Sequence, residues 1–406
     1  MQEKKSKVEQ AFFALLRAGL WEQEVQLAPN GEIDFAEVLR LSEEQSVVGL
    51  VAAGIEHIVD KKPQKKDVLQ FIGRTVQLEQ RNQAMNFFIG VLVEKMREAG
   101  IYSVLVKGQG VGQCYERPLW RSCGDVDLFF DAENYERANG FLTPLAVSVE
   151  PEEKRKMHLA MTIDPWVVEL HGLMPTEISE RINAGVERVQ SDIFAGGGVR
   201  VWENDGADVP LPSPDNDVII VFTHFLQHFF VGGVGLRQIC DWCRLLWTYR
   251  ECIDRNLLLR RLREMGIVSE WKAFGAFAVE YLGLPLSVYR LLLLEDNVNL
   301  LDTCGTSEQA RANDNEDLNL KPETWNLKPS LRRKARRICR VVMEAGNFGH
   351  NKDNSYRSKY PKLVEKSITF FRRLGEYGRL IAIFPMEAPK FFVTYVGRRT
   401  KAAILR

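Results

Sequence analysis

The chain has 406 residues, 45% of them hydrophobic and 27% charged, which is typical of a globular protein with two or three domains. Lysine plus arginine equals aspartate plus glutamate at 54 each, so the net charge does not favour binding to a polyanion. Seven scattered cysteines do not suggest a disulfide framework. We find neither a signal peptide nor an uncharged apolar stretch of about 18 residues. The sequence therefore predicts a cytoplasmic protein without a transmembrane segment.

The hydrophobic pattern divides the chain into five regions. Residues 1–98 have apolar residues at helical spacing, and residues 99–208 contain short β-branched runs typical of strands. Residues 209–302 are again helical. Residues 303–330 are predicted to be a polar linker or loop, and residues 331–406 a basic helical region. This order predicts an α+β fold in which a short mixed sheet with helices lies between N- and C-terminal helical regions.

Short strands are predicted only in the mixed region. Asp164-Pro165 separates two of them, which suggests a hairpin-like pair. A short helix is predicted over residues 111–115. The predicted strands are residues 102–106, 126–130, 157–163, 166–170 and 199–202.

The run GDVDLFF, which begins at Gly124, carries the strongest chemical signal. In a strand, residues i and i+2 project from the same face, so Asp125 and Asp127 point together, about 7 Å apart at Cα. Two like charges about 4 Å apart repel by roughly 4 kcal/mol at an effective dielectric near 20. A divalent cation such as Mg²⁺ turns this repulsion into attraction, and Gly124 allows a close approach or a sharp turn. The alternative is a strand end whose aspartates are solvated or cap a neighbouring helix.

Two further segments strengthen the hypothesis of a metal site. Lys107, Gly108 and Gln109 lie between a predicted strand and a short helix, where backbone N–H groups and the lysine can hold a phosphate. Glu169 and His171 share one face of another predicted strand. If that strand pairs beside the aspartate-bearing strand, Glu169 completes a three-carboxylate site for two metal ions and in-line phosphoryl transfer. An exposed pair on an edge strand is the alternative for Glu169 and His171.

Residues 101–131 resemble the uncharacterised bacterial nucleotidyltransferase family of the DNA polymerase beta superfamily, and the resemblance extends over roughly residues 95–250. It rests on an ordered series: a Lys-Gly strand end, a tyrosine, an arginine, a Gly-Asp-x-Asp-Leu strand, a histidine, an acidic-Leu-His strand, and two helical pairs four residues apart. In this sequence the positions are Lys107, Gly108, Tyr115, Arg121, Gly124, Asp125, Asp127, Leu128, His158, Glu169, Leu170, His171, His224, His228, Arg237 and Asp241.

The resemblance implies a minimal nucleotidyltransferase core and Mg²⁺-dependent transfer of a nucleoside monophosphate from an NTP to an acceptor hydroxyl, with release of pyrophosphate. Mn²⁺ is the alternative ion. Asp125 and Asp127 would bind metal, and Glu169 would bind a second ion or act as a base. The sequence departs from the superfamily at Gln109, where a second Gly or Ser is usual. The predicted nucleotide-binding residues are Lys107, Gly108, Gln109, Arg121, Gly124, His171, Arg237 and Asp241.

Two pairs of residues four apart lie on predicted helices. His224 and His228 have a spacing that suits zinc, but a buried hydrogen-bonded or substrate-facing role is favoured because no third ligand can be placed beside them. Arg237 and Asp241 fit either an intrahelical ion pair or the border of a nucleotide pocket.

The remaining motifs carry weaker signals. The CxxC at residues 240–243 lies on a predicted helix without a second pair, so redox or zinc chemistry is not favoured. The arginine-rich residues 332–340 fit a solvated helix face, with weak contact to RNA, anionic lipid or an acidic partner as the alternative. The amphipathic run at 370–392 fits packing within the helical region or peripheral contact with a membrane.

Three functional hypotheses follow. The leading one is a nucleotidyltransferase that uses an NTP and an acceptor that is a small molecule, a protein side chain or an RNA end. The second is a noncatalytic nucleotide-binding or interaction module, and the third is a toxin-type nucleotidyltransferase that modifies tRNA. Three carboxylates favour an enzyme, because a pure binding module gains nothing from a costly acidic cluster.

Overall fold

The computed structural model describes residues 2–176, 178–285, 288, 327–347, 362–386 and 388–394. Helices dominate the described chain, and a mixed sheet lies among them. Among the described helices, none is both long enough and apolar enough to cross a membrane. Residues 303–326 of the predicted polar linker lie outside the described residues.

The helices begin and end at residues suited to those positions. Asp34, Asp131 and Ser179 each accept a hydrogen bond from a backbone N–H of the helix that follows, as N-cap residues do. Gly266 and Gly283 adopt left-handed conformations directly after two helices. The helices are α1 (Gln2–Trp21), α2 (Phe35–Glu44), α3 (Val48–Glu56), α4 (Lys65–Glu98), α5 (Gly108–Gly112), α6 (Ala132–Leu142), α7 (Glu180–Phe194), α8 (Pro214–Val231), α9 (Leu236–Thr248), α10 (Arg255–Met265), α11 (Val268–Leu282), α12 (Pro329–Ala345) and α13 (Lys362–Ile383).

In the described ranges, seven strands form two sheets. The larger sheet has the order β1-β2-β5-β4-β3, in which β2 and β5 are parallel and the other neighbours are antiparallel. β6 and β7 form an antiparallel hairpin that packs beside β1 and α4. The strands are β1 (Val104–Val106), β2 (Asp125–Phe129), β3 (Ser148–Val149), β4 (His158–Ile163), β5 (Trp166–His171), β6 (Val199–Asn204) and β7 (Ala207–Pro212).

The larger sheet has hydrophobic contacts on both faces. Val126, Leu128 and Leu170 belong to a cluster that includes the apolar residues of α4 and α6. Phe129, on the opposite face of β2, belongs to a second cluster with helices α7 to α11. Asp125 and Asp127 alternate along β2 with Val126 and Leu128. They therefore face the same side of the sheet as Phe129, where helices α7 to α11 lie.

The structure confirms the α+β fold and corrects the bounds of some predicted helices and strands. Within the helical region predicted over residues 1–98, α2 and α3 are separate helices, because Ser46 has a φ of 56° that interrupts the chain between them. The short helix predicted over 111–115 is α5, which begins three residues earlier at Gly108. The predictions omitted β3 and β7. β3 is only two residues long, and β7 contains two prolines that weaken a strand pattern.

Candidate active site

Three carboxylates project from one face of the sheet because of the parallel pairing of β2 and β5. Asp127 lies directly opposite Glu169 in the register, and Asp125 is two residues before Asp127 on the same face. Asp127 is only 3% exposed. A buried ionised carboxylate is costly unless a cation or hydrogen-bond donors compensate it, so the surroundings of Asp127 decide what this site can do.

Lys107 compensates Asp127 across the β1–β2 pair. Its Nζ lies 2.7 Å from Asp127 Oδ1, and both side chains are largely buried. The Lys107 backbone has a φ of 58° and a ψ of −142°, a sparsely populated conformation that costs on the order of 1–3 kcal/mol for a residue other than glycine. Gly108 follows with a φ of 40°. This local strain turns the chain from β1 into α5 where the lysine points at the carboxylates.

The carboxylates differ in their tendency to ionise. The negative charge of Asp127, together with burial, raises the pKa of Asp125. Burial opposes ionisation of Asp127, but the Lys107 ammonium and a hydrogen bond from His171 outweigh it, so the pKa of Asp127 is lowered. Hydrogen bonds from His158 and His171 lower the pKa of Glu169. Asp127 and Glu169 are therefore ionised acceptors, whereas an added positive charge would favour the ionised form of Asp125.

Two histidines lie beside these carboxylates on β4 and β5. His171 Nε2 lies 2.9 Å from Asp127 Oδ1 and 3.5 Å from Glu169 Oε2. His158 Nε2 lies 3.4 Å from Glu169 Oε2, and the two imidazole rings are 4.9 Å apart. The predicted site residues omit His158, although the Asp164-Pro165 turn indicates its position. A two-residue hairpin turn there fixes the register and places His158 opposite His171, as the structure does.

The opposite wall of the site comes from helices α8 and α9. His224 Nε2 lies 3.4 Å from Lys107 Nζ and 3.2 Å from His228 Nε2. Burial and the nearby Lys107 ammonium lower the pKa of both histidines, that of His228 to about 4. Both are therefore neutral near pH 7. Arg237 donates from one Nη to the Ser122 carbonyl at 2.9 Å.

Arg237 and Gln238 present unused donors at the same wall. Arg237 Nε and Gln238 Nε2 are buried and have no hydrogen-bond partner within the described part of the chain, and both side chains line the cleft. Buried donors are nearly always satisfied in folded proteins. These two buried donors lie beside the cleft, and a shift of either side chain would turn its donor toward a polar ligand there.

Asp241 forms a buried ion pair with Arg121. The carboxylate accepts from Arg121 Nε and Nη2, both at 2.8 Å, and from the Tyr115 hydroxyl, also at 2.8 Å. Of the two alternatives for Arg237 and Asp241, the intrahelical ion pair is thus replaced by a pair that joins α9 to the loop before β2. Arg121 and Asp241 both border the cleft, but each side chain already neutralises the charge of the other.

Gln109 and Gly124, two of the predicted nucleotide contacts, are not among the residues that line the cleft. Gln109 is 1% exposed, and its amide nitrogen donates to Asn82 Oδ1 at 2.8 Å, so the side chain packs against α4. Any contact of Gln109 with a nucleotide would have to come from its backbone. A Cβ added at Gly124 would meet no atom within 4 Å, so side-chain space does not require glycine there. Gly108, in contrast, lines the cleft.

A cleft of about 350 Å³ lies between the sheet and helices α8 and α9. This volume lies in the range of small-ligand sites, about 300–1,000 Å³. The loop at residues 173–176 and the 3₁₀ turn that contains Lys156 complete its rim. The cleft has carboxylates and imidazoles on one wall and an arginine with neutral histidines on the other.

A short mixed sheet with three carboxylates on one face, set among helices, defines the architecture expected of a nucleotidyltransferase. The sequence model of the uncharacterised nucleotidyltransferase family matches residues 31–283, which is more than half of the chain. The protein therefore belongs to this family. Comparisons with curated proteins and with solved structures found no match.

Proposed function

We propose that the protein transfers a nucleoside monophosphate from an NTP to an acceptor hydroxyl and releases pyrophosphate. The observation that carries the proposal is the register of β2 and β5, which sets Glu169 opposite Asp127 with Asp125 on the same face. Membership of a nucleotidyltransferase family supports the reaction class. In this reaction the acceptor oxygen bonds to the α-phosphorus, the bond from that phosphorus to the bridging oxygen breaks, and the acceptor proton is lost.

The residues fit a divalent cation such as Mg²⁺ or Mn²⁺. Asp125, Asp127 and Glu169 offer carboxylate oxygens, the donors that hard divalent ions prefer. The charge of Asp127, followed by burial, raises the pKa of Asp125, so a cation bound beside the pair would favour ionisation of Asp125. A bound ion would neutralise the triphosphate charge and orient the NTP.

The remaining groups of the chain suit binding and proton transfer. The orphaned donors of Arg237 and Gln238 can bind phosphate oxygens, for which a planar guanidinium is well suited. Lys107 holds Asp127 ionised and oriented. Glu169, kept ionised by His158 and His171, is the group that would accept the proton of the acceptor hydroxyl if it does not bind a second ion.

Measurement of turnover of the four NTPs with Mg²⁺ or Mn²⁺ tests the proposal, using acceptor panels of small alcohols, proteins and RNA. We expect turnover by the wild type and a loss of at least about a hundredfold in Asp127→Asn, since removal of one electrostatic group at an active site typically costs this much. Glu169→Gln serves as a second variant, because Asp127→Asn also leaves buried Lys107 without its partner.

Asp208→Asn is the matched control, because Asp208 is exposed on β7 and is not among the residues that line the cleft. It should retain full turnover. If the wild type binds NTPs but turns over none of them with any acceptor, the enzyme proposal fails and the noncatalytic binding module replaces it. Growth arrest on expression that Asp125→Ala relieves would indicate the toxin-type transferase instead.

A further inference from the structure

His158, Glu169 and His171 form a compact group of potential metal ligands beside the carboxylate pair. His158 and His171 are directly opposite each other on β4 and β5, and Glu169 is two residues before His171 on the same face. One nitrogen or oxygen from each residue lies within 4.8 Å of the others. In the described part of the chain, these are the three histidine, cysteine or acidic residues whose ligand atoms lie this close to one another.

The distances already approach those of a coordination sphere. Zinc binds imidazole nitrogen and carboxylate oxygen at about 2.0–2.2 Å, so two ligands at the tetrahedral angle are about 3.4 Å apart. The two histidine Nε2 atoms lie 3.4 and 3.5 Å from Glu169 Oε2. Little movement of the side chains is therefore needed to place one ion in contact with all three.

The donor types distinguish this group from a magnesium site. Mg²⁺ selects oxygen ligands and retains several waters, whereas two imidazoles and one carboxylate suit borderline dications such as Zn²⁺ and leave a coordination position open. We propose that His158, Glu169 and His171 bind a transition-metal dication of the zinc class, next to the Asp125–Asp127 pair. The site shares Glu169 with the proposed catalytic carboxylates, but its existence does not depend on nucleotidyl transfer.

Asp127 supports an ion at this position. His171 Nε2 faces both Asp127 and Glu169, so a metal ion would replace the proton that this nitrogen now directs at the carboxylates. The Asp127 carboxylate then remains beside the ion as a further oxygen donor. The negative charges of Asp125, Asp127 and Glu169 all favour a cation here.

The histidine pair on α8 is the competing location, and its electrostatics disfavour a cation. His224 and His228 have their Nε2 atoms 3.2 Å apart, a distance that would also suit a metal. However, Lys107 Nζ lies 3.4 Å from His224, and the positive charges of Lys107 and Arg237 act on both rings. A dication at this pair would be repelled by Lys107 and Arg237. Lys107 also acts on His171 and Glu169, but there the carboxylates of Asp125, Asp127 and Glu169 oppose its charge, so we assign the site to the β4–β5 group.

Metal titration of the full-length protein tests the assignment without NTP. After treatment with a chelator, Zn²⁺ binding is followed by calorimetry, and Co²⁺ is used as a spectroscopic probe whose visible absorption reports nitrogen and oxygen ligands. We expect one ion per chain to bind in the presence of a large excess of Mg²⁺. His158→Gln should weaken Zn²⁺ binding by at least about tenfold and alter the Co²⁺ spectrum, since it removes a ligand.

Two histidine variants serve as matched controls. His228→Gln changes the competing pair, and His57→Gln changes a histidine whose Nε2 lies 2.6 Å from Glu22 at a different place in the fold. Both should bind Zn²⁺ as the wild type does. Loss of binding in His228→Gln, or complete displacement of Zn²⁺ by Mg²⁺, would overturn the assignment. Zinc binding without NTP turnover would leave this site standing and refute only the proposed function, and turnover without zinc binding would do the reverse.

Discussion

Substitution of Asp241 by asparagine should destabilise the protein strongly. The Arg121 and Asp241 side chains are only 4% and 7% exposed and are joined by two hydrogen bonds. Asparagine keeps the shape and can still accept from Tyr115, but it removes the charge and turns an amide N–H₂ group toward the guanidinium. Loss of one partner of a buried ion pair leaves an uncompensated charge, which costs about 3–5 kcal/mol. That is a large part of the roughly 5–15 kcal/mol that stabilises a folded protein.

Urea unfolding followed by circular dichroism measures this cost. The midpoint should fall markedly in Asp241→Asn, with an unchanged slope. Glu264→Gln is the matched control, because Glu264 pairs with Arg188 at 3.1 Å while both side chains are about half exposed. Exposed ion pairs contribute about 0–1 kcal/mol, so this control should unfold nearly as the wild type does. If Asp241→Asn loses no more than the control but binds NTPs much more weakly, Asp241 is a ligand contact and the structural argument is wrong.

Three further results are expected. Leu128→Ala, in a fully buried position of β2, should lower the free energy of unfolding by about 2–5 kcal/mol in the same assay; a cost below about 1 kcal/mol would contradict the packing of the sheet. Gly54→Ala should destabilise the protein, since the added Cβ would lie 2.0 Å from a backbone oxygen of α1. Gly73→Ala adds its Cβ in open space and should stabilise α4 by up to about 1 kcal/mol. Equal effects of the two substitutions on stability would refute the close approach of α1 and α3. Burial and two nearby cations lower the pKa of His228 to about 4, below about 6.5 in an unfolded chain. The unfolded chain therefore binds the proton more readily, and stability falls between about pH 6.5 and 4 by on the order of 3 kcal/mol. His228→Gln should lose correspondingly less stability over that range, and identical pH profiles would contradict the burial of this imidazole.

The parts of the candidate site that depend on the local sequence pattern of a strand could be predicted from the sequence. Alternation along β2 is sufficient to place Asp125 and Asp127 on one face and Leu128 on the other. The hairpin at Asp164-Pro165 likewise follows from two apolar runs with a two-residue break. The structure places Glu169 beside Asp127, the pairing that the sequence analysis could state only as a condition. The metal, the acceptor and the catalytic roles stay predictions.

The sequence by itself determined most of the strands and helices, and which of their residues share a face, because these properties arise from side-chain periodicity over a few neighbouring residues. Only the tertiary structure decided the partners of the charged groups. Asp241 binds Arg121 and not Arg237, and Lys107 binds Asp127. Such pairs join residues far apart in the chain, and burial within a closed fold selects them. Periodicity contains no information about which distant charge a buried carboxylate will meet.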